Sequence, residues 1–193
     1  ESGVEIDRTT AGLLMSAIIS DTLLFRSPTC TPKDEKTARE LAEIVGVDIE
    51  KYAFDMFSAG SNLKGKTIKE IFYQDFKHFK AGKVDFGVSQ VTSLNKEELE
   101  SMKDELEDFA LEAMKIDMSF IMLTNILERS TDLLAIGSGA GPLVNNAFAV
   151  EAVRRPARGE NGKVVDAWSV ELPGVVSRKK QLVPQLTLFA EQL

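Results

Sequence analysis

Apolar residues are spaced in two ways along this chain, and the change falls near residue 60. Before it they recur at three- and four-residue steps, as helices require. Residues 11–19, Ala-Gly-Leu-Leu-Met-Ser-Ala-Ile-Ile, are apolar nearly all round and predict a buried helix capped by Thr9 or Thr10. Ser27-Pro28-Thr29 breaks the chain. A second helix starts at Thr31 or Pro32, with Ala38, Leu41, Ala42 and Val45 on one face and Gly46 as its stop. A third covers about residues 49–58 and ends at Ala59-Gly60-Ser61-Asn62, where small, turn-forming residues place a linker.

After that point the pattern shortens. Residues 71–79 alternate loosely and residues 84–91 cleanly, which predicts two strands joined through Ala81-Gly82. Residues 95–115 read as one amphipathic helix, with Leu99, Met102, Leu106, Phe109 and Ala113 inward and acids on a solvated face. Residues 119–125 and 133–136 are short apolar runs of buried-strand type, separated by the polar turn Glu128-Arg129-Ser130-Thr131-Asp132. Gly137-Ser138-Gly139-Ala140-Gly141 lacks both the Gly-Lys-Ser/Thr ending of a phosphate loop and the full dinucleotide spacing. It reads as a turn before a helix over residues 143–148. Residues 154–162 read as a loop and residues 164–172 as a last strand. Strands alternating with helices predict an α/β fold, a mixed β-sheet flanked by helices.

Composition narrows the class. The 193 residues carry a formal net charge of -7, which argues against a nucleic-acid partner. The longest apolar-rich run, residues 11–25, is interrupted by Ser16, Ser20, Asp21 and Thr22 and is too short to span a membrane. Cys30 is the single cysteine, so there is no internal disulfide framework, and a cytoplasmic location is expected. The chain opens on Glu1 and enters a helix within ten residues, as a piece of a larger protein would.

Against that acidic balance, Leu172-Pro173-Gly174-Val175-Val176-Ser177-Arg178-Lys179-Lys180-Gln181 stands out. Three consecutive cations follow a turn, and Leu182-Val183-Pro184 predicts a helix start just after them. Free amides and the helix dipole would add to the cations and favour a phosphate. By spacing alone, a solvated basic patch is the more ordinary reading, as for most short charge runs.

That stretch resembles the C-terminal signature of family II (manganese-dependent) inorganic pyrophosphatases, of the DHH phosphoesterase superfamily. Ala17-Ile18-Ile19-Ser20-Asp21-Thr22-Leu23-Leu24-Phe25-Arg26-Ser27-Pro28-Thr29 is similar to that family's segment bearing a metal-ligand Asp. The resemblance implies three parts: residues 1–58 as the helical tail of a DHH-type metal-binding domain, 59–62 as a linker, and 63–193 as the substrate-binding, DHH-associated domain. It implies Asp21 as a metal ligand and Arg178 and Lys179 as a substrate-binding pair, with Lys180 beside them. Lys77, in Asp75-Phe76-Lys77-His78-Phe79, matches a further substrate-binding lysine. The cofactors implied are Mn2+ or Co2+, with Mg2+ on the substrate. The partner is pyrophosphate, with neither nucleic acid nor membrane. The intact enzyme would be a homodimer, and this piece a monomer. Substrate would bind between the two domains, and closure about the linker would assemble the site.

The family's His-x-Asp and Asp-His-His motifs are absent; His78 is the sole histidine and reads as a surface residue. With one metal-ligand Asp, the chain by itself is expected to bind pyrophosphate weakly and not to hydrolyse it. Other readings are an exopolyphosphatase of the same superfamily, a non-catalytic module that binds phosphate compounds, and an interaction domain whose basic cluster docks an acidic partner.

Overall fold

The computed structural model describes residues 5–60, 63, 65–113, 115–158 and 164–191. The chain divides into two compact units, Glu1–Asn62 and Leu63–Leu193.

The first unit is helical: α1 (Arg8–Thr22), α2 (Pro32–Val45) and α3 (Ile49–Gly60). Asp7, not a threonine, caps α1; its Oδ1 accepts from the amides of Thr9 and Thr10 at 2.9 and 3.0 Å. A carboxylate reaches two orphan amides at once and is favoured by the dipole, so it displaces the hydroxyls that follow it. Nor is α1 buried all round. Ala11, Met15 and Ile19 enter the core with Ala38, Leu41, Ala42, Ile49 and Ala53, while Leu13 is 69% exposed. For α2 the expectation holds: Thr31 caps it in a box with Asp34, Pro32 opens it, and Gly46 ends it at φ 71°. Helix α3 runs through Ala59 and Gly60, two residues expected in the linker; Ser61 and Asn62 lie outside the described residues.

The second unit is a six-stranded sheet, β1 (Phe76–Ala81), β2 (Val84–Ser93), β3 (Met118–Asn125), β4 (Ser130–Ile136), β5 (Val153–Arg158) and β6 (Val164–Pro173), in the order β1-β2-β3-β4-β6-β5. Among the described residues only β2 and β3 pair in parallel; the other pairs are antiparallel. The helices are α4 (Ile68–Gln74), α5 (Lys96–Ser101), α6 (Lys103–Ala113), α7 (Ala140–Phe148) and α8 (Val183–Ala190).

Both faces of the sheet are covered. Phe86, Phe120, Met122 and Leu133 pack with Leu143 and Val144 of α7 and with Leu186 and Ala190 of α8. Ile121, Leu123, Leu134 and Ile136 pack on the other side with Ile71, Phe72, Leu99 and Leu106 of α4, α5 and α6. Burial on both faces explains why β3 and β4 read as continuous apolar runs rather than alternating ones.

Four expectations need correction. Residues 71–74 belong to α4, not to a strand: Thr67 and Glu70 form a capping box that starts a helix there. The helix over 95–115 is two helices, because Met102 (φ -99°, ψ -6°) closes α5 before α6 begins. Ser130, Thr131 and Asp132, expected in a turn, open β4, and Arg129 at φ 53° makes the turn. Residues 154–158, expected in a loop, lie in edge strand β5, where charge and a proline are tolerated. Residues 159–162 of that loop lie outside the described residues.

Arg155 of β5 is tied to α6, its Nε 2.8 Å from Glu107 Oε2. Burial is the strongest influence on Glu107 and lifts its pKa above the usual 4.5, against the pull of Arg155. The folded chain therefore holds this proton longer than the unfolded one. The group's contribution to stability is full below the unfolded value and is lost as pH rises through the raised folded value. Glu107→Gln should flatten that decline just above pH 4.5. Urea midpoints measured across this range check it; an identical decline in both proteins would contradict it.

Candidate functional site

The basic stretch sits at the join of β6 and α8. Gly174 turns the chain at φ 78°, and Ser177 then caps a π-helical turn, Arg178–Leu182, which runs directly into α8. The helical path thus begins four residues earlier than Leu182, and the cations lie within its first turn rather than ahead of it. Ser177 Oγ accepts from the Lys180 amide at 3.2 Å, and Ser177 O accepts from the amides of Gln181 and Leu182. The amides of Arg178 and Lys179 have no acceptor among the described residues. They are the donors that the N-terminus of a helix offers to an anion.

The loop before this turn is held by side chains that sequence reasoning does not single out. Gln181 Oε1 accepts from the amides of Val176 and Ser177 at 2.9 and 3.0 Å, while its Nε2 donates to Gly174 O at 2.7 Å. From beneath, Gln90 of β2 donates to Val176 O and to Thr124 Oγ1. Thr131 of β4 donates to Val175 O at 2.6 Å and shares a bond with Thr124 of β3. Three neighbouring strands therefore fix the loop backbone. Gln181 is visible as the last residue of the basic stretch; Gln90, Thr124 and Thr131 are not, because they act only through the sheet.

Lys77 comes to the same place along β1. Phe79 and Ala81 face the core that contains Leu182, Leu186 and Ala190 of the turn and α8. Strand alternation puts Lys77 on that same face. Helix α8 runs alongside β1: Arg178 bonds to Asp75 at one end, and at the other a Cβ on Gly82 would stand 3.7 Å from Glu191 Cα. The sequence alone does not bring Lys77 and Arg178 together; this packing places both at the Asp75 end.

Arg178 itself is fixed. Its Nη2 donates to Asp75 Oδ1 at 2.8 Å and its Nη1 to Asp75 O, and its side chain is 13% exposed. Lys77, Lys179 and Lys180 are exposed, and none has a carboxylate partner among the described residues. Of the four cations, Arg178 is the one bonded to Asp75, which lies two residues before Lys77 in the chain. His78 lies on the opposite side of β1, its Nε2 3.5 Å from Asp85 Oδ1, and stands apart from the cluster.

Asp21 belongs to the first unit, near the end of α1, with an exposed side chain. After Thr22, which ends α1, Leu23, Leu24 and Phe25 all take left-handed backbone angles, φ 48°, 48° and 64°. Such a run of non-glycine residues costs energy at each position and persists only where its surroundings impose it. Here Thr22 Oγ1 accepts from the Phe25 amide at 3.2 Å, the Ser27 amide bonds to Thr22 O at 2.8 Å, and Thr29 Oγ1 donates to Asp21 O at 3.1 Å. The Arg39 guanidinium covers the Phe25 ring at 5.2 Å. Among the described residues no three His, Cys, Asp or Glu side chains converge as metal ligands. An oxygen donor suits manganese or magnesium, but one carboxylate does not make a metal centre.

The DHHA2 domain family matches residues 55–189. The chain is 44% identical over 190 residues to a cobalt-dependent inorganic pyrophosphatase of Clostridium perfringens, covering 97% of this chain and 32% of that protein. It is 41% identical over 190 residues to a manganese-dependent inorganic pyrophosphatase of Bacillus subtilis, covering 97% of this chain and 57% of that protein. A crystal structure of a Methanococcus jannaschii protein assigned to the family II inorganic pyrophosphatases superposes with a TM-score of 0.77 at 33% identity, over 97% of this chain and 57% of the other. The chain thus spans between 32% and 57% of the length of these relatives. The chain belongs to the DHHA2 domain family and is related along nearly its whole length to the family II inorganic pyrophosphatases.

Proposed function

We propose that this chain supplies the phosphate-holding part of a cytoplasmic, metal-dependent inorganic pyrophosphatase. The observation that carries the reading is a helix turn bearing Arg178, Lys179 and Lys180, with Arg178 bonded to Asp75 two residues before Lys77, in a chain of net charge -7. Pyrophosphate is small and highly charged, and its hydrolysis spreads further charge over the phosphoryl oxygens. A guanidinium held in place and free amides near those oxygens stabilise that charge with little reorganisation. In this reading Arg178 grips one phosphoryl group through its planar fork, while Lys77, Lys179 and Lys180 act as point charges.

Asp21 is assigned to a metal site that the described residues do not complete, and residues 1–58 to the metal-binding part of the whole protein. Manganese or cobalt, as named for the relatives, would when bound lower the pKa of a water and polarise the phosphoryl oxygens. The homodimer expected for the intact enzyme goes with this reading.

Phosphate release from pyrophosphate tests the division of roles. With manganese and magnesium supplied, the 193-residue chain should release none. Release that Asp21→Ala abolishes would overturn it. The longer protein carrying this chain should prefer pyrophosphate to tripolyphosphate. The reverse preference would favour an exopolyphosphatase, and binding without turnover a non-catalytic module.

A further inference from the structure

The one acid inside the cationic cluster presents a contradiction of sign. A carboxylate beside a site for a multiply charged anion repels the ligand, yet Asp75 is bonded to Arg178 with a side chain 47% exposed. Its contacts resolve the contradiction. Asp75 Oδ1 and Asp75 O together accept from both terminal nitrogens of Arg178. The same carbonyl accepts from the Gln90 amide at 3.2 Å, and Gln90 Nε2 donates to Val176 O at 3.1 Å. One residue at the junction of α4 and β1 thus ties the guanidinium to the strand that also supports the loop carrying it. Two of five guanidinium N–H groups are engaged, and the rest meet no acceptor among the described residues.

We propose that Asp75 is a positioning residue for the phosphate clamp: it holds the Arg178 guanidinium in place so that its remaining donors face the anion. The proposal rests on reading this cluster as a pyrophosphate site. Two effects of Asp75 then compete. Its charge opposes binding, but water screens a half-exposed carboxylate. Its two acceptors fix the mostly buried Arg178 before ligand arrives, so the ordering of a long side chain does not count against binding. The geometry favours the second effect as the larger.

Because the effects have opposite signs, substitution separates them. Inorganic pyrophosphate is titrated into the 193-residue chain by calorimetry at low salt, with thermal unfolding recorded for each variant. Asp75→Ala should weaken binding about tenfold even though it removes a negative charge. Asp75→Asn keeps an Oδ1 acceptor and removes the charge, so it should bind at least as tightly as the native chain. Asp75→Ala should add nothing to Arg178→Ala. Asp75→Ala that binds equally or more tightly overturns the proposal, as does Asp75→Asn that binds more weakly. The Asn variant, which keeps the tie to Arg178, carries the test if the Ala variant folds poorly. Should Arg178→Ala leave affinity unchanged, the phosphate-site reading fails and the proposal falls with it. Should Arg178→Ala weaken binding while Asp75→Ala does not, the proposal alone fails.

Discussion

Replacing Arg178 by alanine should weaken pyrophosphate binding by this chain about a hundredfold, the loss expected when one partner of a close, mostly buried charge contact is truncated. The three lysines around it are exposed and mobile in their long stems, so each contributes a screened point charge. Arg178 is 13% exposed and pinned to Asp75, and is the one cation whose geometry is set before ligand arrives. Arg178→Lys should recover only part of the loss, because an ammonium cannot hold Asp75 and a phosphoryl group in the same planar fork. Stability should change little: Asp75 is 47% exposed and can be rehydrated, so about 1 kcal/mol or less is expected. Calorimetric titration with a urea melt in parallel checks both. A variant that unfolds, or one that binds as before, would contradict the assignment.

Gly137→Ala should have the opposite signature, a large loss of stability that is independent of ligand. Gly137 leaves β4 at φ 117°, where a side chain is strained in any case. A Cβ there would also stand 2.3 Å from the Asp117 carbonyl oxygen. Neither side can give way cheaply. The Gly137 amide donates to Asp166 O at 2.9 Å, and the Asp117 amide and side chain are both bonded to the backbone of Asp85 at the start of β2. Strain and clash together should cost about 3 kcal/mol or more, a large part of the roughly 5–15 kcal/mol typical of a domain. A urea midpoint close to that of the native chain would show that the turn can relax.

Much of the fold follows from local signals. Helix α2 is written in Thr31, Pro32, Asp34 and Gly46, each acting on the backbone within one turn of itself. The apolar stretches of β3 and β4, residues 120–123 and 133–136, are legible because both faces are buried there, whereas Ser130, Thr131 and Asp132 hide the start of β4. What is not legible depends on residues distant in sequence. The polar segment Arg154-Arg155-Pro156 becomes a strand only because β6 offers it an edge. Helix α4 is hidden by its aromatic residues, although the capping box of Thr67 and Glu70 is a usable signal.

The site divides in the same way. The cations of the turn announce themselves as a run in an acidic chain, and the two motifs that resemble the family II pyrophosphatases lie in the stretches that the relatives share. That Lys77 shares a face with α8 depends on packing across about 100 residues of sequence. Asp75 is concealed for a different reason. By charge alone an acid beside a cation is a neutralising partner, whereas the bond from Arg178 to Asp75 holds that guanidinium in place.

The most direct test of the central claim is amide chemical-shift mapping of the chain during a titration with inorganic pyrophosphate. Shifts should concentrate at Asp75, Lys77 and residues 176–181, led by the Arg178 and Lys179 amides that have no acceptor among the described residues. Shifts that spare those residues and gather instead in the groove lined by Lys96, Lys103, Glu128 and Asp132 would contradict it.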